Sequence, residues 1–177
     1  GWGRRTGWPL DELPGRLPTG RRLTEGEVAI LGIGQGELSV TTLQAAVLAS
    51  AVANGGGGVK PWVVKTVGDR VASTPSLSRL GWSSATLETL REGMRRVVLS
   101  GTGSHAGLSP FRVLGKTGTA QVSSPGRIGG PEPHAWFVGY GPEEAPSLAV
   151  AVVVEHGGHG GEVAGPIAAE LFRRFLP

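Results

Sequence analysis

Lys116-Thr117-Gly118-Thr119 places one cation and two hydroxyls within four residues. If the segment is a strand, alternate side chains share a face, so Lys116 points one way and Thr117 and Thr119 the other. Twist at a sheet edge would still carry the end of the lysine toward the cleft that the threonines face. Two hydroxyls and an ammonium suit a carboxylate ligand. Gly118 between them lets a ligand approach the backbone closely, and an edge-strand N–H can stabilise an oxyanion. From spacing alone a plainer reading, a Thr-rich strand with one surface lysine, is the commoner one.

Other segments offer chemistry that their surroundings do not complete. Gly32-Ile33-Gly34-Gln35-Gly36 suggests a dinucleotide turn, but Glu37 stands where the fingerprint needs its third glycine. Gly115-Lys116-Thr117 resembles the end of a phosphate loop, but Pro110 occupies the required glycine and a strand, not a helix, follows. His156-Gly157-Gly158-His159, with Glu155 or Glu162 nearby, has metal-ligand residue types. On a glycine loop those ligands are not pre-positioned, and a solvated turn is the simpler reading. His105 is a lone loop histidine. No serine stands in a Gly-x-Ser-x-Gly elbow.

The elements that would position Lys116 follow from pattern. Residues 1–36 read as an irregular surface segment rich in Gly, Pro and Arg, ending in the Gly32–Gly36 loop. Ser39, Thr41 or Thr42 caps an Ala-rich, buried helix running to about Asn54, stopped by four glycines. Trp62 to Val67 reads as a short β-branched strand with a turn at Gly68-Asp69. A helix from Ser84 to about Leu99 carries an apolar stripe of Leu87, Leu90, Met94, Val97 and Val98, and Gly101-Thr102-Gly103 closes it. Three strands follow: Arg112 through Lys116 to Val122, His134 to Tyr140, and Ser147 to Glu155. Between the first two lies a Ser/Pro/Gly loop, Ser123 to Pro133, and a turn at Gly141-Pro142 joins the last two. Short connections argue an antiparallel meander. The run Leu148 to Val154 is apolar on both faces, which predicts a central strand covered by helices on both sides. Val163 to Leu176 is an amphipathic helix.

Composition narrows the classes. Of 177 residues, 31 are Gly and 13 Pro, while the apolar fraction is 39%. The glycines lack a three-residue period and fall between apolar runs, so a turn-rich folded domain fits better than collagen or disorder. The net charge is +3 without a basic stripe, which argues against a nucleic-acid partner. There are no cysteines, which excludes disulfides, zinc-thiolate sites and a cysteine nucleophile. The longest apolar run falls far short of the ~20 residues of a spanning helix. No signal peptide is evident, and Gly1-Trp2-Gly3 reads like the middle of a longer chain.

The box Lys116-Thr117-Gly118-Thr119-Ala120-Gln121 resembles the Lys-Thr-Gly box of penicillin-recognising serine enzymes. Further segments resemble class B penicillin-binding proteins, in the expected order. These are Gly32–Gly36 with Ser39-Val40-Thr41-Thr42-Leu43-Gln44, Asn54-Gly55 with Lys60-Pro61, Gly101-Thr102-Gly103, and His134-Ala135-Trp136-Phe137-Val138-Gly139-Tyr140. The last is most like the elongation-type, penicillin-binding protein 2-like branch. The resemblance covers nearly the whole chain. Two family motifs, Ser-x-x-Lys and Ser-x-Asn, occur nowhere in the sequence.

The resemblance implies an α/β fold of the penicillin-binding/β-lactamase type, an antiparallel sheet with helices on both faces, only partly contained here. Residues 1–177 would form the C-terminal part of a single transpeptidase domain whose nucleophile-bearing half lies upstream. The implied reaction is peptidoglycan cross-linking through an acyl-serine, with β-lactams acting as mimics of D-Ala-D-Ala. Lys116 would maintain a positive field. Thr117 and Thr119 would hold the substrate carboxylate, and the Thr119 N–H would form half of an oxyanion hole. Gly118 and Gln121 would line the binding strand, and Trp136 would wall the cleft. No metal or organic cofactor is implied. Implied partners are stem peptides, β-lactam antibiotics, the N-terminal half of the domain and other cell-wall synthesis proteins, at the extracytoplasmic face of the bacterial membrane. Without its nucleophile this chain alone would be inactive. Other readings are a non-catalytic scaffold or binding fragment of the same fold and, further off, a β-lactamase or β-lactam sensor.

Overall fold

The structure is a computed structural model and describes residues 2–71, 79–122 and 131–176. Among the described residues, four helices and five strands succeed one another as α1 (Glu25–Gly32), α2 (Thr42–Ala53), β1 (Thr66–Val67), β2 (Arg70–Val71), α3 (Ser84–Leu99), β3 (Leu114–Ala120), β4 (His134–Gly141), β5 (Leu148–Val154) and α4 (Ala164–Phe175). Two single 3₁₀ turns, Ser104–Ala106 and Ser109–Phe111, lie between α3 and β3.

The main sheet has the order β3-β4-β5 and is antiparallel throughout, the expected meander. Lys116 pairs with Val138, Gly118 with Trp136, and Val138 in turn with Ala151. Alternation along the strands sorts their side chains onto two faces. One face carries Ala135, Phe137, Val150 and Val152, which pack with Ala164, Ala168 and Phe172 of α4 and with Val98 at the end of α3. The other carries Leu114, Tyr140 and Ala149, which pack with Val52 of α2 and Met94 of α3. Helices therefore cover both faces, and the apolar run of β5 lies between α2 and α4. Among the described residues β5 has one strand neighbour, β4.

Polar ties hold these layers in register. Arg91 of α3 donates to the Val52 and Ala53 carbonyls (2.9 and 3.1 Å), satisfying the C-terminal end of α2 that would otherwise lack partners. Arg95 donates from Nε to Glu143 in the turn after β4 (2.9 Å) and holds that carboxyl below the usual carboxylate range. Gln44, 2% exposed, donates to the Arg4 and Pro14 carbonyls (2.9 and 2.7 Å) and accepts from the Thr41 N–H (2.9 Å). One side chain thus fastens the extended N-terminal segment to the start of α2.

Two expectations require correction. Residues 1–36 are not irregular throughout, because they contain α1. No residue of α1 is fully buried within this chain, and its apolar residues Val28, Ala29, Ile30 and Leu31 run consecutively, so no one-sided stripe marks it. Its signature is Thr24-Glu25-Gly26-Glu27, a capping box in which the Thr24 hydroxyl accepts from the Glu27 N–H and the Glu27 carboxylate accepts from the Thr24 N–H. The strand expected over Trp62 to Val67 is reduced to Thr66–Val67, paired with Arg70–Val71 around the Gly68-Asp69 turn. Before that pair, Trp62 and Val63 are exposed and the indole N–H donates to the nearby Val64 carbonyl at 2.6 Å. β-Branched composition does not make a strand without a neighbouring strand to take its backbone groups. The Ser123 to Pro133 loop falls outside the described residues from 123 to 130.

Candidate functional site

Lys116, Thr117, Gly118 and Thr119 lie in the middle of β3, whose single strand neighbour among the described residues is β4. The opposite edge of β3 is therefore open. In an antiparallel ladder, residues alternate between exchanging both backbone bonds with the neighbour and turning both groups away. Two side chains reveal the alternation here. The Lys116 ammonium donates to the Thr117 carbonyl (2.5 Å), and the Gln35 amide donates to the Thr119 carbonyl (3.0 Å). Thr117 and Thr119 are thus the residues whose backbone groups face the open edge. The Thr119 N–H faces the same way as its carbonyl.

The arrangement brings a cation and an outward N–H to one strand edge. Lys116 emerges on the α2 side of the sheet, as alternation predicts, and is exposed. It then curls over the edge to reach Thr117 O. The Thr117 side chain goes to the α4 side, is 7% exposed, and shares a hydrogen bond with the Thr102 hydroxyl. Thr102 belongs to the Gly101-Thr102-Gly103 turn that ends α3. There the Gly101 N–H bonds to Arg96 O and the Gly103 N–H to Val97 O. A Cβ at Gly101 would lie 2.8 Å from Val97 Cα, so the turn admits no side chain there. Thr119 is half-buried on the same side as Thr117.

Trp136 is half-buried and stands opposite Gly118 in the β3–β4 register, on the Lys116 side of the sheet. A Cβ on Gly118 would come to 3.1 Å from Trp136 Cβ. Glycine at 118 therefore gives the indole its place. Gln121 lies past the end of β3 and is exposed, so the structure does not gather it with the others.

Three residues outside the sequence-read site turn out to shape it. Gln35 reaches Thr119 O from the loop after α1. Thr102 engages Thr117. Gly160 lies flat against the β3–β4 pair on the α4 side, and a Cβ there would collide with the backbone of Gly118 and Trp136. Long-range contacts of this kind leave no local pattern, although the glycines flanking Gln35 mark a built turn. Gly34 and Gly36 have φ of +78° and +84°, a region that favours glycine.

The histidine loop does not gather metal ligands. The His156 N–H donates to His134 Nδ1 at 2.9 Å, and the two rings stand 4.8 Å apart. Among the described residues no three His, Asp or Glu side chains converge. An open depression of about 510 Å³ lies along the outer face of α3 beside Glu88, Glu92 and Arg96, away from Lys116.

This fold, with a Lys-Thr-Gly-Thr edge strand, is that of a known domain family. Residues 4–173 match the family model described as the penicillin binding protein transpeptidase domain, and the chain belongs to that family. Among curated relatives, the stage V sporulation protein D of Bacillus subtilis is 35% identical, over 100% of this chain and 29% of its own length. The peptidoglycan D,D-transpeptidase MrdA of Acinetobacter baumannii is 32% identical, over 99% of this chain and 30% of its own. The chain thus spans about three-tenths of the length of these relatives. Among solved structures, Pseudomonas aeruginosa PBP2 in complex with WCK 5153 superposes with a TM-score of 0.82 at 31% identity, covering 99% of this chain and 41% of that one. The ceftriaxone acyl-enzyme complex of penicillin-binding protein A from Mycobacterium tuberculosis gives 0.80 at 28% identity, covering 98% and 40%.

Proposed function

We propose that this chain is the C-terminal part of a peptidoglycan D,D-transpeptidase and supplies the Lys-Thr-Gly edge of its active site. The observation that carries this reading is the open edge of β3, where the Lys116 ammonium and the Thr119 N–H meet in a chain of this family. A serine from the upstream part attacks the penultimate D-Ala carbonyl of a stem peptide. Its proton passes to a base in that same part, and the carbonyl oxygen takes up negative charge facing the Thr119 N–H. Collapse expels D-Ala, and the amine of a neighbouring stem displaces the serine to form the cross-link. Lys116 holds a positive field at that edge. The Thr119 hydroxyl, with Thr117 beside it, receives the substrate carboxylate. Gly118 and Trp136 form the wall.

β-Lactams acylate the same serine, a reading supported by the ceftriaxone acyl-enzyme complex of the mycobacterial relative. The proposed location is the extracytoplasmic face of the membrane, where stem peptides are exposed, with other cell-wall synthesis proteins as partners. No helix among the described residues is long and apolar enough to cross a membrane.

Intact-mass spectrometry with a β-lactam tests this division of labour. Residues 1–177 alone are expected to gain no acyl mass. The complete transpeptidase domain should gain one, on a serine upstream of Gly1. A stable adduct on a serine of this chain, or none on the complete domain, would overturn the proposal.

A further inference from the structure

Gln35 is 84 residues from Thr119 in sequence, yet its Nε2 donates to the Thr119 carbonyl at 3.0 Å. The local structure around Gln35 serves that contact. No residue of α1 is fully buried within this chain. Polar groups fix its start. Thr24 and Glu27 form the capping box, and Arg21 grips Glu27 through both guanidinium nitrogens, at 3.0 and 2.6 Å. At its other end the Gly34 N–H bonds to Leu31 O and the Gln35 N–H to Ile30 O (2.9 and 3.1 Å). Left-handed Gly34 and Gly36 then turn the chain on either side of Gln35. A Cβ at Gly36 would stand 3.2 Å from the Ile30 side chain, so the turn is also closely packed.

We propose that Gln35 is a positioning residue for Thr119. This rests on the proposed function, in which the Thr119 N–H meets the developing oxyanion. An edge strand lacks a neighbour to hold its outward peptides in plane, and β3 has none on this side among the described residues. Gln35 substitutes for one by bonding the outward carbonyl of the residue whose N–H points the same way. The amide holds that residue's backbone before substrate arrives, and pre-organised donors are the effective ones. Gln35 acts through Thr119 and touches no reacting atom.

The test uses the complete transpeptidase domain carrying Gln35→Glu, which keeps the side-chain length but replaces the donor by an oxygen. The rate of β-lactam acylation as a function of concentration separates the non-covalent dissociation constant from the acylation step. The acylation step is expected to slow by about 10- to 100-fold, less than the 100- to 1000-fold loss of an entire oxyanion donor, with the dissociation constant unchanged. The acyl carbonyl stretch should move to higher frequency in infrared difference spectra, a shift that a merely structural role would not produce. If Gln35→Glu fails to fold, Gln35→Met supplies the same measurement.

Lys116→Ala is measured in parallel. Slow acylation in Lys116→Ala beside wild-type acylation in folded Gln35 variants would overturn the positioning role alone. Wild-type acylation in Lys116→Ala would overturn the reading of the site itself. A Gln35 variant with a lowered melting temperature but an unchanged acylation step and carbonyl stretch would also overturn the positioning role.

Discussion

Gly160→Ala adds one methyl group at a point remote in sequence from the Lys-Thr-Gly box and should damage it. Gly160 lies against the β3–β4 pair, and a Cβ there would run into Gly118 O and Trp136 O and come within 3.0 Å of Gly118 N. All three are backbone atoms of paired strands, so no rotamer change relieves the clash. Ordinary contact requires a displacement of roughly one ångström, of either β3 or the 160 loop. The loop is itself held, because Gly160 O accepts from the Gly165 N–H at the start of α4 (2.8 Å) and a Cβ at Gly165 would strike Ala106. Gly160 does not have a positive φ, so the effect is steric and not conformational. Overpacking of this kind costs about 1–3 kcal/mol and should lower the melting temperature. A one-ångström error in a catalytic group costs up to about 100-fold in rate. The assay is thermal unfolding and β-lactam acylation of the complete transpeptidase domain. A wild-type melting temperature with a wild-type acylation rate would mean that the loop yields freely and that β3 is not braced through it.

Three other substitutions probe separate parts of the molecule. Gly93 lies exposed in the interior of α3 with nothing within 4 Å of an added Cβ, so Gly93→Ala should stabilise by about 0.8–1 kcal/mol, and a lower urea midpoint would contradict this. Gln44→Ala strips partners from two carbonyls and the Thr41 N–H. It should cost about 1–3 kcal/mol, and an unchanged midpoint would show that the N-terminal segment is not fastened there. The Arg21 guanidinium, then the Thr24 N–H, pull the Glu27 carboxyl down to about 2. A depressed carboxyl contributes stability above its unfolded value and loses it as pH falls through the folded one. The α1 clamp should therefore weaken between about pH 4.5 and pH 2. Carboxyl-selective NMR should place the Glu27 midpoint near the bottom of that window and move it up in Arg21→Ala. A midpoint above pH 4 in the unsubstituted protein would contradict the clamp.

The sequence carried the α3 boundaries, the three-strand meander and both core helices because each has a local signal. Ser84–Leu99 has a helical stripe and a glycine stop, the strands have apolar runs split by short turns, and Thr41 to Gln44 is a capping box ahead of an Ala-rich run. Elements without a one-sided apolar stripe were illegible to an apolar pattern. α1 is held by Thr24, Glu27 and Arg21, and only its capping box announces it. Trp62 to Val67 had strand composition but too few neighbours to become one. At the site, alternation placed Lys116 and the threonines on opposite faces, and the strand edge then brought the lysine end back, as the chemistry required. Gln35, Thr102 and Gly160 were not legible as site residues, because each meets β3 across a separation that only the fold closes.

The most direct measurement is the acylation rate of Lys116→Ala in the complete transpeptidase domain, followed with a fluorescent penicillin. If the open edge of β3 is the active-site edge, loss of the ammonium should slow acylation by about 100- to 1000-fold while the melting temperature stays near wild type, since Lys116 is exposed and supports no core. Acylation at the wild-type rate by a folded Lys116→Ala protein would contradict the assignment of that edge.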